Sequence, residues 1–214
     1  MRSDLRGHDE EDDGTTRPMT RGRAGGPIPM STRPIDLAPA AAPLAALVTA
    51  TDDDGLRAPT PCAGWSVADL FDHLDVVAGG SVALARRDDD PGPGTGPWEA
   101  ARREALATRI GAMAEAWRDP AAWDGTAGAP GPELPRPTWA LIGLTELVVH
   151  AWDLARALDR PAPELPDETL RACLDHVAVF VPGAPLPELW GDPVTPGADA
   201  RMLDRIVAVT GRTP

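Results

Sequence analysis

The sequence predicts an all-α helical bundle, and three observations lead to this prediction. Five segments repeat apolar residues at the spacing of an amphipathic helix. Breaks rich in Pro and Gly separate these segments, and strand-like alternation of apolar and polar residues never runs beyond a few positions. With 214 residues, the chain has the length of one domain with appendages.

The chain divides into a tail and a helical domain. Residues 1–34 combine an acidic run, a basic cluster and almost no large apolar side chain. Such a segment cannot bury enough surface to offset the entropy lost on ordering, so we expect a disordered tail. Met19 and Met30 are alternative starts of the chain. Residues 35–214 are expected to form the bundle.

The first three predicted helices lie in the N-terminal half of the domain. The first falls within 40–50. The second begins after Trp65, where Ser66 and Asp69 match a capping box. The third opens at Pro97, a favoured residue of a first helical turn. Its apolar stripe has ordinary core spacing and consists of Leu106, Ile110, Met113 and Trp117.

The remaining helices are predicted in the C-terminal half. The fourth, 138–158, is apolar nearly all round, which indicates a central, buried helix. The fifth begins after Pro166 with Asp167 as its N-cap. We expect His176 to be exposed, because on a helical wheel it lies opposite the apolar stripe of that helix. A short last helix, 198–209, follows.

Composition excludes several classes of partner. The 33 acidic and 20 basic residues give a net charge of −13, which argues against nucleic-acid or anionic-membrane surfaces and favours a small-molecule partner. Two cysteines, Cys62 and Cys173, do not form a disulfide framework, so a reducing cytoplasm is the expected compartment. The most apolar early stretch, 37–50, is too short to span a bilayer and contains two prolines.

Three ionisable side chains stand out within the apolar fourth helix. Glu146, His150 and Asp153 fall within about 60° of one another on a helical wheel. Burying them unpaired is costly, so they need partners, either protein groups or a cation. His73, at the edge of the second helix's apolar stripe, is able to complete a set of two nitrogens and one oxygen. Such sets are typical of divalent-metal sites that keep one position open.

A simpler interpretation of the same residues stays open at this point. Glu146 and His150 are four residues apart, a spacing at which side chains commonly pair on a helix. In that case Asp153 lies at a solvated edge and His73 is a hydrogen-bonded core histidine. Cys62 precedes the second helix and has no base at a motif-like spacing, so it is interpreted as a packing residue.

Two segments carry a resemblance to a known family. Residues 60–74 (TPCAGWSVADLFDHL) and 146–157 (ELVVHAWDLARA) resemble the mycothiol-dependent maleylpyruvate isomerase N-terminal domain, one of the DinB-like helical bundles. The closing residues 203–214 also look like the end of short members of this family. The resemblance implies a DinB-like four-helix bundle, here with extra short C-terminal helices.

The same resemblance implies a function and a site. His73, Glu146 and His150 would hold a divalent metal, usually zinc, with nickel or another ion as alternatives. A mycothiol-like low-molecular-weight thiol would bind there as cosubstrate and react with a small electrophile. This predicts a metal-dependent transferase or isomerase. The alternatives are a non-catalytic metal-binding module, in which the ion is structural or sensed, and a metal-free bundle that acts through partners.

Further side chains are candidates for supporting roles. Asp153 is expected to orient a ligand histidine or to form a salt bridge, since metal-bound imidazoles normally donate their second N–H to an oxygen acceptor. For a substrate carboxylate, the candidates are Arg102 and Arg103 on the third helix and Arg156 beside the metal face.

Overall fold

A computed structural model describes residues 34–128, 133–183 and 190–214, and its fold is all-α, as predicted. The described residues form six α-helices: α1 (Ala38–Ala50), α2 (Val67–Arg86), α3 (Ala100–Ala116), α4 (Arg136–Ala157), α5 (Asp167–Phe180) and α6 (Met202–Val209). They also form a two-stranded antiparallel ribbon that the sequence analysis did not predict, β1 (Thr126–Ala127) and β2 (Leu134–Pro135). The predicted tail lies outside the described residues, apart from Pro34.

The first four helices make the bundle. α1 packs on α3 and α4, and α2 packs on the same two helices, so α1 and α2 occupy opposite corners. The core between them consists of large side chains with almost no exposed surface, including Leu44, Phe71, Leu106, Ile110, Leu144 and Leu154. Burial of each such side chain contributes roughly 1.5–3 kcal/mol. This arrangement makes α2 and α4 neighbours, which matters for the site.

Local sequence signals set where the helices begin. The predicted capping box at the start of α2 is confirmed: Ser66 N–H donates to Asp69 Oδ2 at 2.8 Å, and Asp69 N–H donates to Ser66 Oγ at 3.3 Å. α3 begins at Ala100 rather than at Pro97. Asp167 is the first residue of α5 and not its N-cap. Such shifts are small because the apolar stripe, rather than the terminal residue, fixes a helix in the core.

The prediction that His176 is exposed is wrong. α5 packs on α4 with one face, and α6 packs against α5 as well as α4. His176 is therefore only 4% exposed, and its ring stacks on Phe180 with centroids 4.8 Å apart. A helical wheel could not show this. It identifies the most apolar face of α5, but it contains no information on a second helix that packs against α5.

None of the helices in the described part of the chain has both the length and the hydropathy of a membrane span.

Candidate metal centre

Three candidate ligands from two helices meet at one point. His73 lies on α2, while Glu146 and His150 lie one turn apart on α4. The Nε2 atoms of both histidines are 3.0 Å from the same oxygen, Glu146 Oε2. The two imidazole rings stand edge to face with centroids 5.0 Å apart. One ligand atom from each residue lies within 4.8 Å of the others, so the three are close enough to share one ion.

Glu146 is a carboxylate with 12% of its side chain exposed, and its charge partners in the described chain are these two histidines. Burial by itself raises the pKa of Glu146. Hydrogen bonds from His150 and His73 outweigh burial and hold the pKa below its ordinary range. The carboxylate is therefore ionised, and it requires positive charge from the imidazoles or from an ion between them.

Asp153 holds the other side of the His150 ring. Its Oδ2 lies 2.9 Å from His150 Nδ1, and its side chain is fully buried. Burial raises the pKa of Asp153, but hydrogen bonds from His150 and Arg212 lower it further than burial raises it. An ionised carboxylate only accepts hydrogen bonds, so Nδ1 of His150 carries a proton and Nε2 faces Glu146. An orienting role for Asp153 would need this contact, and the role itself stays a prediction.

The protonation of His150 follows from the same contacts. Burial lowers the pKa of His150, but its hydrogen bonds with Asp153, Cys62 and Glu146 raise the pKa well above its ordinary value. Without an ion, the ring is a cation between two carboxylates. A divalent ion that replaced the Nε2 proton would supply the positive charge in its place.

Arg212 is a residue of the candidate site that the sequence analysis missed. Its Nε–H and Nη2–H groups donate to the two oxygens of Asp153 at 3.2 and 2.8 Å, and Nη1–H donates to the carbonyl of Thr210 at 2.8 Å. The side chain is buried in spite of its charge. The pair spans 59 residues of sequence, and no spacing rule connects residues so far apart.

Cys62 is also a site residue, so its interpretation as a packing residue is corrected. The thiol is half-buried, and Sγ lies 3.3 Å from Asp153 Oδ2 and also 3.3 Å from Arg212 Nη2. Cys62, His150 and Asp153 are close enough to form a second metal-ligand group. The Arg212 guanidinium already occupies the cation position beside Asp153, which argues against a metal ion there.

A cavity of about 420 Å³ opens over the three candidate ligands. Trp65 and Trp190 contribute its large apolar walls, and Cys62 and Arg212 also line it. The Trp65 ring contacts His73, with ring centroids 5.1 Å apart. The volume falls within the range of small-molecule sites. A second hollow beside Asp53 and Trp98, about 500 Å³, contains none of these residues.

The arginines predicted for a substrate carboxylate lie elsewhere. Arg103 donates to Asp53 at 2.9 Å and to the Trp98 carbonyl at 2.7 Å. Arg156 lies over the ring of Trp152, 5.7 Å from its centroid. Arg102 pairs with Asp72 and with backbone carbonyls of the loop before α3. None of these three arginines lines the cavity.

The residues fit a divalent metal ion. Two imidazole nitrogens and one carboxylate oxygen converge, no arginine of the described chain pairs with this carboxylate, and the cavity leaves one side of the group open. Three protein ligands with an open position are the pattern of catalytic zinc sites, and borderline nitrogen and oxygen donors suit zinc or nickel.

Comparison with known proteins places these residues in a family. The sequence model of the mycothiol maleylpyruvate isomerase N-terminal domain matches residues 37–155, which include His73, Glu146, His150 and Asp153 but not Arg212. The chain is also similar to uncharacterized proteins from two Mycobacterium tuberculosis strains, CDC 1551 / Oshkosh and H37Rv. Each is 29% identical over 182 residues, which cover 79% of this chain and 91% of the relative. No solved structure gives a significant match. Because the family model covers more than half of the chain, the protein belongs to the mycothiol maleylpyruvate isomerase N-terminal domain family.

Proposed function

We propose that the protein is a metal-dependent transferase or isomerase that joins a mycothiol-like low-molecular-weight thiol to a small electrophile. The observation that carries this proposal is the convergence of His73, Glu146 and His150 at an open cavity. Membership of the family supports the choice of thiol. The proposed partners are therefore two small molecules, and neither nucleic acid nor membrane is among them.

The chain's own residues have distinct roles in this proposal. His73, Glu146 and His150 would hold the divalent ion, zinc in the first instance and nickel as an alternative. When bound, such an ion lowers the pKa of a coordinated thiol and so provides a thiolate at neutral pH. Asp153 keeps the Nδ1 proton on His150, which leaves Nε2 free to bind.

The cavity walls suit a small, partly apolar reactant. Trp65 and Trp190 offer flat apolar surfaces on which a ligand is able to stack. The Arg212 charge is already paired with Asp153. The cavity therefore provides apolar contact rather than an unpaired charge to a reactant.

The proposal is tested by metal content and turnover in the same preparations. Protein purified without a His tag is compared with His150→Ala, and His176→Gln is the matched control because it removes a buried histidine outside the cavity. We expect about one divalent ion per chain in wild type and in the control, and none in His150→Ala.

Turnover is then measured with mycothiol and simpler thiols against a panel of haloarenes and unsaturated acids. We expect conjugation or isomerisation that disappears on chelation and returns with zinc or nickel. Turnover by metal-free His150→Ala would contradict the proposal. Bound metal without turnover for any pair would favour the non-catalytic metal-binding module instead.

A further inference from the structure

The end of α6 is built to aim Arg212 inward. Gly211 takes the left-handed conformation, with φ of 86°, directly after the helix. Its N–H donates to the Ala208 carbonyl at 3.1 Å, and the Arg212 N–H donates to the Val207 carbonyl at 2.9 Å. These two bonds are the Schellman pattern that closes a helix C-terminus. The backbone hydrogen bonds therefore fix the direction of the Arg212 Cα–Cβ bond, and the bonds to Asp153 and the Thr210 carbonyl hold the guanidinium.

A second contact fixes the position of this turn against the rest of the cavity wall. Gly191 and Gly211 pack backbone to backbone, so that a Cβ atom on Gly211 would lie 2.5 Å from Gly191 Cα. Both glycines line the cavity. The close approach leaves no room for a side chain, and it brings Arg212 to the edge of the candidate metal centre.

From this position Arg212 fixes the plane of the Asp153 carboxylate. A guanidinium that binds both oxygens through two N–H groups allows little rotation of the carboxylate. Cys62 Sγ makes a further contact with Oδ2. The same Oδ2 accepts the Nδ1 proton of His150. A change at Arg212 is thus transmitted through one carboxylate to one ligand ring.

We propose that Arg212 is a positioning residue for the metal ligand His150 and that it acts through Asp153. The inference rests on the proposed function, because it takes His150 to be a ligand. Arg212 lies beyond the segment that matches the family model, so the C-terminal segment after α5 completes the site from outside that segment.

The test is a double-mutant comparison of zinc affinity. Zinc binding is measured by competition with a chromophoric chelator for Arg212→Gln, Asp153→Asn and the double variant. Arg201→Gln is the control, since it removes the ion pair between the exposed Arg201, the N-cap of α6, and Asp204 in the first turn of that helix. We expect Arg212→Gln to bind zinc about 10-fold more weakly, in line with other residues that orient metal ligands. The control should bind as wild type does.

The double variant shows the route of the effect. If Arg212 acts through Asp153, adding Arg212→Gln to Asp153→Asn weakens zinc binding by less than about 2-fold. An equal loss in both backgrounds would overturn the inference, as would wild-type affinity of Arg212→Gln. If Arg212→Gln alone does not fold, Arg212→Lys replaces it. Lys lacks the planar guanidinium that binds both carboxylate oxygens, so we expect weaker zinc binding. Unchanged zinc affinity of Arg212→Lys would overturn the inference.

A second measurement does not need the metal. In metal-free protein with ¹⁵N-labelled histidine, we expect a slowly exchanging Nδ1–H signal from His150 that is lost in Arg212→Gln and kept in Arg201→Gln. Persistence of the signal in Arg212→Gln would overturn the inference even if wild type binds metal. Absence of metal binding in wild type, with the signal lost in Arg212→Gln, would instead contradict the proposed function and leave the positioning of His150 supported.

Discussion

His73 Nε2 and Glu146 Oε2 lie 3.0 Å apart although 73 residues separate them in the chain. The contact joins α2 to α4, two neighbouring corners of the bundle. An ion bound here would tie these helices together, so occupancy of the site is coupled to the stability of the fold.

Zinc is expected to raise the melting temperature of the protein. At a free ion concentration of about 100 times Kd, stabilisation is about 2.7 kcal/mol, and about 2–4 °C of melting temperature corresponds to each kcal/mol in a domain of this size. His73→Ala should lose most of this shift, and Ca²⁺, which prefers oxygen-rich sites, should give none. The measurement is calorimetry with and without each ion. An equal zinc shift in His73→Ala would place the ion elsewhere.

His176 is expected to make the fold less stable in mild acid. Burial lowers its pKa from 6.5 to about 4. Above pH 6.5 neither state binds the proton, but between pH 6.5 and about 4 the unfolded chain binds it and the folded protein does not. Stability therefore falls as the pH falls through this window. At pH 5.5 the loss from this residue is about 1.4 kcal/mol.

The matched variant for this effect is His176→Phe, which keeps a ring against Phe180 but does not titrate. Urea unfolding of both proteins at pH 7.5 and pH 5.5 isolates the contribution of His176, because other groups titrate in both. Wild type should lose more stability than the variant between the two values. Parallel losses would show that His176 is accessible to protons in the folded state.

Gly211→Ala is expected to destabilise the fold more than Gly125→Ala. Both glycines have left-handed φ angles, 86° and 82°, so both substitutions carry the same conformational cost of about 1–2 kcal/mol. A Cβ on Gly125 meets no atom within 4 Å, whereas a Cβ on Gly211 meets the Gly191 backbone at 2.5 Å. Urea unfolding measures the difference. Of the two variants, only Gly211→Ala should also bind zinc more weakly, since Gly211 directly precedes Arg212. Equal stability of the two variants would show that the segments around Gly191 and Gly211 separate easily.

The two cysteines are expected to differ sharply in reactivity. Cys173 is fully buried, and burial raises its pKa to about 12, so at pH 8 about one thiol in 10,000 is ionised. Cys62 is half-buried and lines the cavity. Iodoacetamide followed by mass spectrometry should find the label on Cys62 and none on Cys173. Cys62→Ser should remain unlabelled until it is unfolded; labelling of native Cys62→Ser would mean that α5 opens.

The sequence alone determined the helices and the core of the candidate site. Apolar periodicity identified the bundle, and the capping box identified the start of α2, because both depend on residues within one or two turns. Glu146, His150 and Asp153 could be grouped for the same reason: a helix of known pitch places residues three, four and seven apart on one face. His73 could be added because it borders the apolar stripe of a helix in the same bundle.

Only the tertiary structure decided what surrounds that core. His176 is buried on a helix, α5, that packs against both α4 and α6, and Arg212 reaches Asp153 from the turn that closes α6, which packs against Gly191. The contact between Arg212 and Cys62 spans 150 residues. Periodicity encodes which face of a helix is apolar, but it does not encode the path of the loops that bring a distant side chain to that face.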